Sequence, residues 1–142
     1  MSATARTYGP VLYAVGREKV KEYARAVGET NPLYLDHEAA RVAGHADVVA
    51  PPMFAVVYAG PALGAALFDP GLGIDFGRLV HGAQAFTWGA LVVAGDEITT
   101  TAALYETGAR GGLEVFAFRS ESVNQRGETT CEGLWTNFVR PA

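Results

Sequence analysis

The chain has 142 residues, a length at which one compact core is the ordinary outcome, and a single domain over 1–142 is expected. Hydrophobic residues make up 49% and charged ones 18%, which leaves little polar surface to cover a monomer and points to a dimer or higher oligomer. A formal net charge of -4 with no run of Lys or Arg argues against nucleic acid or anionic lipid as partners, and the lone Cys131 rules out an internal disulfide or a thiol-rich metal site.

Cytoplasmic residence fits that cysteine usage, and the first fifteen residues show no basic segment followed by an apolar stretch and a cleavage site. In chain order, Tyr8 to Val15 reads as an edge strand. From Gly16 to Val27 the apolar positions Val20, Tyr23, Ala24 and Val27 recur at helical spacing, with Glu18, Lys19, Lys21, Glu22 and Arg25 opposite and Gly28 as a stop. Asp36 is placed to cap a second, short helix through Ala43, closed by Gly44. Val48 to Phe68 then runs 21 residues without a charge, long enough in principle to cross a bilayer. Pro51, Pro52, Gly60, Pro61 and Gly64 interrupt it and it has no basic flank, so a buried helix is the better reading and no membrane partner is expected. Pro51 and Pro52 suit a first helical turn, whereas Pro61 should kink or end the helix near Gly60.

From Leu79 the pattern changes to period two, with Gln84, Phe86 and Trp88 on one face of a strand and His81, Ala83 and Ala85 on the other. A turn at Gly95-Asp96 precedes a Thr-rich strand from Ile98 to Thr107. Gly108 to Gly112 supplies a hairpin into a strand from Leu113 to Val123, and Asn124 to Gly127 a turn into the last strand, Thr129 to Val139. There Cys131, Trp135 and Asn137 share one face, and Leu134, Thr136 and Phe138 the other. Antiparallel strands gathered in the second half, with one apolar helix ahead of them, predict an α+β layer in which a curved sheet wraps that helix.

The segment Gly28-Glu29-Thr30-Asn31-Pro32-Leu33-Tyr34 resembles the signature of the MaoC-like, or R-specific enoyl hydratase, family, which runs Gly-Asp-x-Asn-Pro-aliphatic-His. Val49 to Ala55, Val80 to Phe86, Ala94 to Asp96 and Val123 to Thr129 extend the likeness over nearly the whole chain, and it is nearest the N-terminal dehydratase branch. That branch includes the substrate-binding subunit of a heterodimeric 3-hydroxyacyl-ACP dehydratase. The resemblance implies a hotdog fold, a curved antiparallel sheet around a central apolar helix. It also implies hydration of enoyl thioesters or the reverse dehydration, with an Asp and a His holding the reacting water.

Neither group stands at its expected place. Glu29 replaces the Asp, and its extra methylene displaces the carboxylate by roughly 1.5 Å, enough to lower a rate about a hundredfold. Tyr34 replaces the His, and a phenol is a poor base near neutral pH. The family's catalytic branch opens its central helix with His-Gly, but here Pro51-Pro52 stand there and proline has no N–H to donate to an oxyanion. The resemblance therefore implies an acyl-binding subunit whose catalytic residues come from a MaoC-like hotdog partner, acting on acyl-ACP or acyl-CoA, with no cofactor and no metal. Asn31 and Pro32 are either substrate contacts or shapers of the turn after the first helix. Met53, Phe54, Val57 and Tyr58 are candidates for lining an acyl channel; Phe54 and Tyr58, with Phe86, Trp88 and Trp135, also read as core or interface packing.

Two other functions fit the same residues. One is an active homodimeric hydratase using Glu29, with His81 brought close by folding, although a lone His on a strand is more often structural. The other is an acyl-binding scaffold that catalyses nothing. Thioesterase activity rests on fold analogy alone.

Overall fold

In the computed structural model the described residues are 6–142; the first five, part of the stretch scanned above for a leader, lie outside them. Strand β1 (Thr7–Ala14) is followed by α1 (Arg17–Ala26), the short α2 (Pro32–Leu35) and α3 (His37–Val42). A 3-10 turn over Pro52–Phe54 leads into α4 (Ala55–Leu67), and four strands complete the chain: β2 (Leu79–Trp88), β3 (Glu97–Arg110), β4 (Leu113–Val123) and β5 (Thr129–Val139).

All five strands pair antiparallel in the order β1-β3-β4-β5-β2, so β1 and β2 form the two edges. The hairpins follow from local chemistry. Arg110 pairs with Leu113 across Gly111-Gly112, both with positive φ, the conformation that a two-residue turn matching the twist of the strands requires. The strand therefore runs on past Thr107, and the hairpin is shorter than the Gly108–Gly112 expected from sequence. Between β4 and β5, Asn124 Oδ1 accepts from the backbone N–H of Arg126 and of Glu128, each at 3.0 Å.

Helix α4 packs against β1, β3 and, less extensively, β4. Its buried side is Ala55, Tyr58, Ala59, Ala62, Leu63 and Ala66; four alanines there bring the helix close to Ile98, Ala102 and Phe118. This is the α+β hotdog arrangement expected from the sequence. The uncharged stretch is accounted for as that helix, and among the described residues no helix is long and apolar enough to cross a membrane.

Two local expectations need correction. Pro61 does not end α4, which continues to Leu67. Pro61 lies on the exposed side, where water can satisfy the carbonyl its ring leaves unpaired, and the packing of Ala62, Leu63 and Ala66 holds the next turns in place. The second correction concerns β2, where the register shifts between His81 and Ala83. With the extra residue there, His81 pairs with Asn137 and Gln84 with Trp135, so His81 shares the face of Gln84 instead of that of Ala83 and Ala85. The ring of Phe138 fills the space a side chain at Gly82 would need, which fixes a glycine at the bulge.

Candidate functional site

The Gly28–Tyr34 segment is shaped by two helix ends. Gly28, at φ 77°, donates to the Arg25 carbonyl at 3.1 Å and Glu29 N–H to the Ala24 carbonyl at 2.9 Å, the paired bonds of a left-handed helix stop. Asn31 then caps α2: its Oδ1 accepts from Leu33 N–H at 3.0 Å, and Pro32 occupies the first helical position. Both residues are exposed, and Asn31 directs its acceptor at its own backbone.

Glu29 and Tyr34 are each partly buried, and among the described residues neither side chain makes a hydrogen bond or ion pair. The Glu29 charge is felt at Tyr23, whose phenol is pushed above its ordinary pKa by burial and then by that carboxylate. Tyr23 in turn stands edge-on to Phe54, ring centroids 5.4 Å apart. Val49 N–H donates to the Leu33 carbonyl at 2.8 Å. Through these two links α2 and Glu29 flank the N-terminal end of α4.

At that end backbone donors are few. Pro52 has none, and Phe54 N–H is engaged by the Pro51 carbonyl at 2.8 Å. The Pro52 carbonyl accepts Trp88 Nε1–H at 2.9 Å, tying the helix start to the end of β2. A small cavity of about 60 Å³ lies beneath, lined by Pro51, Pro52, Tyr58, Trp88, Leu91 and Thr130 among others, none of them charged. Ala50 N–H to the Val92 carbonyl and Ala94 N–H to the Val48 carbonyl, 2.8 and 3.0 Å, hold its two sides together.

The four channel candidates separate by burial. Met53 is 44% exposed and Val57 partly buried, and neither lines the cavity. Phe54 is fully enclosed among Tyr13, Tyr23 and Tyr58. Tyr58 is buried but reaches the cavity wall, and burial drives its phenol up to about 12, so its proton stays on at neutral pH. Its neighbour Cys131 is likewise raised by burial, to about 11, which leaves an unreactive thiol.

His81 lies elsewhere. It is exposed, with its ring 6.2 Å from that of Trp135 in an edge-on contact. Trp88 lies seven positions further along β2, roughly 20 Å of strand, and no contact joins His81 to Glu29 or Tyr34 among the described residues. Between them Gln84 faces the same side, its carboxamide oxygen and nitrogen both buried with no hydrogen-bond partner. Sequence reading passed over Gln84, whose only signal was a polar residue on a strand face shared with Phe86 and Trp88. A larger concavity of about 570 Å³ spans Ala85, Thr101, Arg119, Glu121 and Glu132 on the opposite side of the sheet and is remote from both segments. The described residues contain no cluster of His, Cys, Asp or Glu able to hold a metal.

Residues 2–132 match the family described as the FAS1-like dehydratase domain region. The chain belongs to that family. Among curated relatives, a UPF0336 protein of Clavibacter michiganensis is 48% identical over 128 residues, covering 90% of this chain and 86% of its own. A UPF0336 protein of Streptomyces griseus is 42% identical over 142 residues, 99% and 95% of the two chains. Among solved structures, the C-terminally truncated HadBC (3R-hydroxyacyl-ACP dehydratase) complex from Mycobacterium tuberculosis contains a chain 29% identical, with a TM-score of 0.78 over 94% of this chain and 95% of that one. A MaoC-like dehydratase matches at 27% identity and TM-score 0.80, covering 97% of this chain but 42% of its own. An R-hydratase of Pseudomonas aeruginosa, 16% identical with a TM-score of 0.74, shares the fold. The MaoC-like dehydratase likeness read from the Gly28–Tyr34 signature together with the later segments is borne out by the family match and by the first two of these structures.

Proposed function

We propose that this FAS1-like dehydratase chain is the non-catalytic, acyl-chain-binding subunit of a heteromeric (3R)-hydroxyacyl-thioester dehydratase or enoyl-thioester hydratase. A second hotdog subunit supplies the Asp and His that move the two protons of the reaction, one removed and one delivered. The observation that carries this reading is the start of α4. An enolate-like oxygen needs a pair of backbone donors there, yet Pro52 has no N–H and that of Phe54 is already held by the Pro51 carbonyl, which leaves Met53 alone in this turn with a free N–H among the described residues. Glu29 and Tyr34 at the two signature positions, neither of them paired with a group that would tune it, point the same way.

What remains on this chain is apolar surface at the helix start: Tyr58 of the helix with Pro52, Trp88 and Leu91 around the cavity, and the exposed Met53 next to Pro52. Such a surface suits the tail of an acyl-ACP or acyl-CoA in the cytoplasm. The unpaired edge β2 offers a partner its N–H and C=O row, and the chain acts as one domain within the assembly. The likeness to a chain of the Mycobacterium tuberculosis HadBC (3R-hydroxyacyl-ACP dehydratase) complex supports the presence of a partner. Among the described residues no hydrogen bond, ion pair or ring contact joins Glu29 to His81, which speaks against their acting together within one chain.

The test is hydration of a medium-chain trans-2-enoyl-CoA, followed by loss of enoyl absorbance, with the chain alone and with a hotdog subunit carrying the intact Asp and His signature. The reading expects no turnover alone and turnover on mixing, above that of the partner by itself. Robust turnover by the chain alone would overturn it.

A further inference from the structure

The cavity at the start of α4 has one wall unlike the rest. Trp88 is the last residue of β2, 50% exposed, and its indole reaches across to the Pro52 carbonyl at 2.9 Å. Leu91, 61% exposed, lines the cavity beside it, and Met53, 44% exposed, follows Pro52 in the chain. The backbone under the ring is fixed: Gly89 and Ala90 donate to the Thr130 and Thr129 carbonyls at 2.9 Å each, and the Thr129 carbonyl leaves no room for a side chain at Gly89. Any opening of this wall is therefore a rotation of the Trp88 side chain. Both ends of its hydrogen bond are at the surface, since Pro52 is exposed as well, and water can replace each partner when the bond breaks.

We infer that Trp88 is the latch that sets the length of acyl tail this subunit accepts, an inference that rests on the acyl-binding reading above. With the indole bonded to Pro52, the cavity of about 60 Å³ admits only the last few carbons of an unbranched chain; with the indole swung aside, the tail runs out over Met53 and Leu91. The occupant is an unbranched alkyl chain. The space is too small for a ring or a substituted side chain, and its lining carries no charge to recognise a polar ligand.

The experiment is calorimetric binding of butyryl-, hexanoyl-, octanoyl- and dodecanoyl-CoA to the wild-type chain, Trp88→Phe and Trp88→Ala. Phe keeps most of the ring and the packing but loses the N–H; Ala removes the wall. The ratio of the Kd for dodecanoyl-CoA to that for butyryl-CoA should fall at least tenfold in Trp88→Ala and by a smaller factor in Trp88→Phe. An unchanged ratio in Trp88→Phe and Trp88→Ala, with acyl-CoA still bound, would overturn the latch and leave the acyl-binding reading standing. If Trp88→Ala fails to fold, Trp88→Phe alone decides. Failure of the wild-type chain to bind any of the four would count against the acyl-binding reading and the latch together, and binding of a cyclic acyl-CoA as tight as that of hexanoyl-CoA would contradict the unbranched occupant.

Discussion

Replacing Gln84 by Met should make the isolated chain more stable, although a hydrogen-bonding group is lost. Gln84 sits opposite Trp135 in the β2–β5 ladder, and both polar atoms of its carboxamide are shut off from water with nothing to bond. Leaving a buried polar group unpaired costs about 1–3 kcal/mol, a penalty that an apolar side chain of similar reach does not incur. Met has one heavy atom fewer than Gln, and the small void it leaves takes back part of the gain, on the order of 0.5 kcal/mol. A net stabilisation near 1 kcal/mol follows. At an unfolding entropy of about 2.1 cal/mol/K per residue, that is a rise in Tm of about 3 °C for a chain of 142 residues. Near-UV circular dichroism melts at one protein concentration, so that self-association stays constant, would measure it. Gln84→Glu, which buries a carboxylate at the same place, should lower Tm. An unchanged or lower Tm in Gln84→Met would mean that the carboxamide is paired in the free chain and that the reasoning is wrong.

Two further outcomes are expected. Arg17 grips Asp47 through two nitrogens at 2.9 and 3.0 Å and holds that carboxyl below its usual pKa. A depressed folded-state pKa contributes stability above the unfolded value and loses it as pH falls through the folded one, so urea melts of wild type and Arg17→Met should differ at pH 7 and converge in acid below the ordinary carboxylate range; a gap that persists there would assign the effect to packing of the Arg17 stem. Restoring the signature with Glu29→Asp and Tyr34→His should leave enoyl-CoA hydration at background, because Pro52 still withholds a backbone donor, and adding Pro52→Gly should raise it. Full activity of the double variant would show that the helix start is not what limits the chain.

Much of the fold could be read locally. Gly28 stops α1, Asp36 caps α3 through Glu38 and Ala39, and Gly111-Gly112 turns β3 into β4, each by chemistry confined to a few neighbouring residues. What was misread depends on distant parts of the chain. Pro61 is carried inside α4 by packing against the sheet, and the bulge that moves His81 to the face of Gln84 forms where Gly82 meets Phe138 of β5. The candidate site divides in the same way. The departures at Glu29, Tyr34, Pro51 and Pro52 are visible in the sequence, as is the apolar run beginning at Met53. That Phe54 is closed in by three tyrosines, that Trp88 reaches Pro52, and that Gln84 is left without a partner are consequences of tertiary packing.

In the proposed complex this chain lends surface and its partner lends chemistry. The most direct measurement compares two substitutions in the reconstituted complex: Glu29→Gln in this chain, and Asp→Asn at the signature position of the catalytic subunit, each scored by kcat for enoyl-CoA hydration. For Glu29→Gln kcat should stay within about twofold of wild type, and for the partner's substitution it should fall at least about a hundredfold. A hundredfold loss from Glu29→Gln, with the complex still assembled, would contradict it.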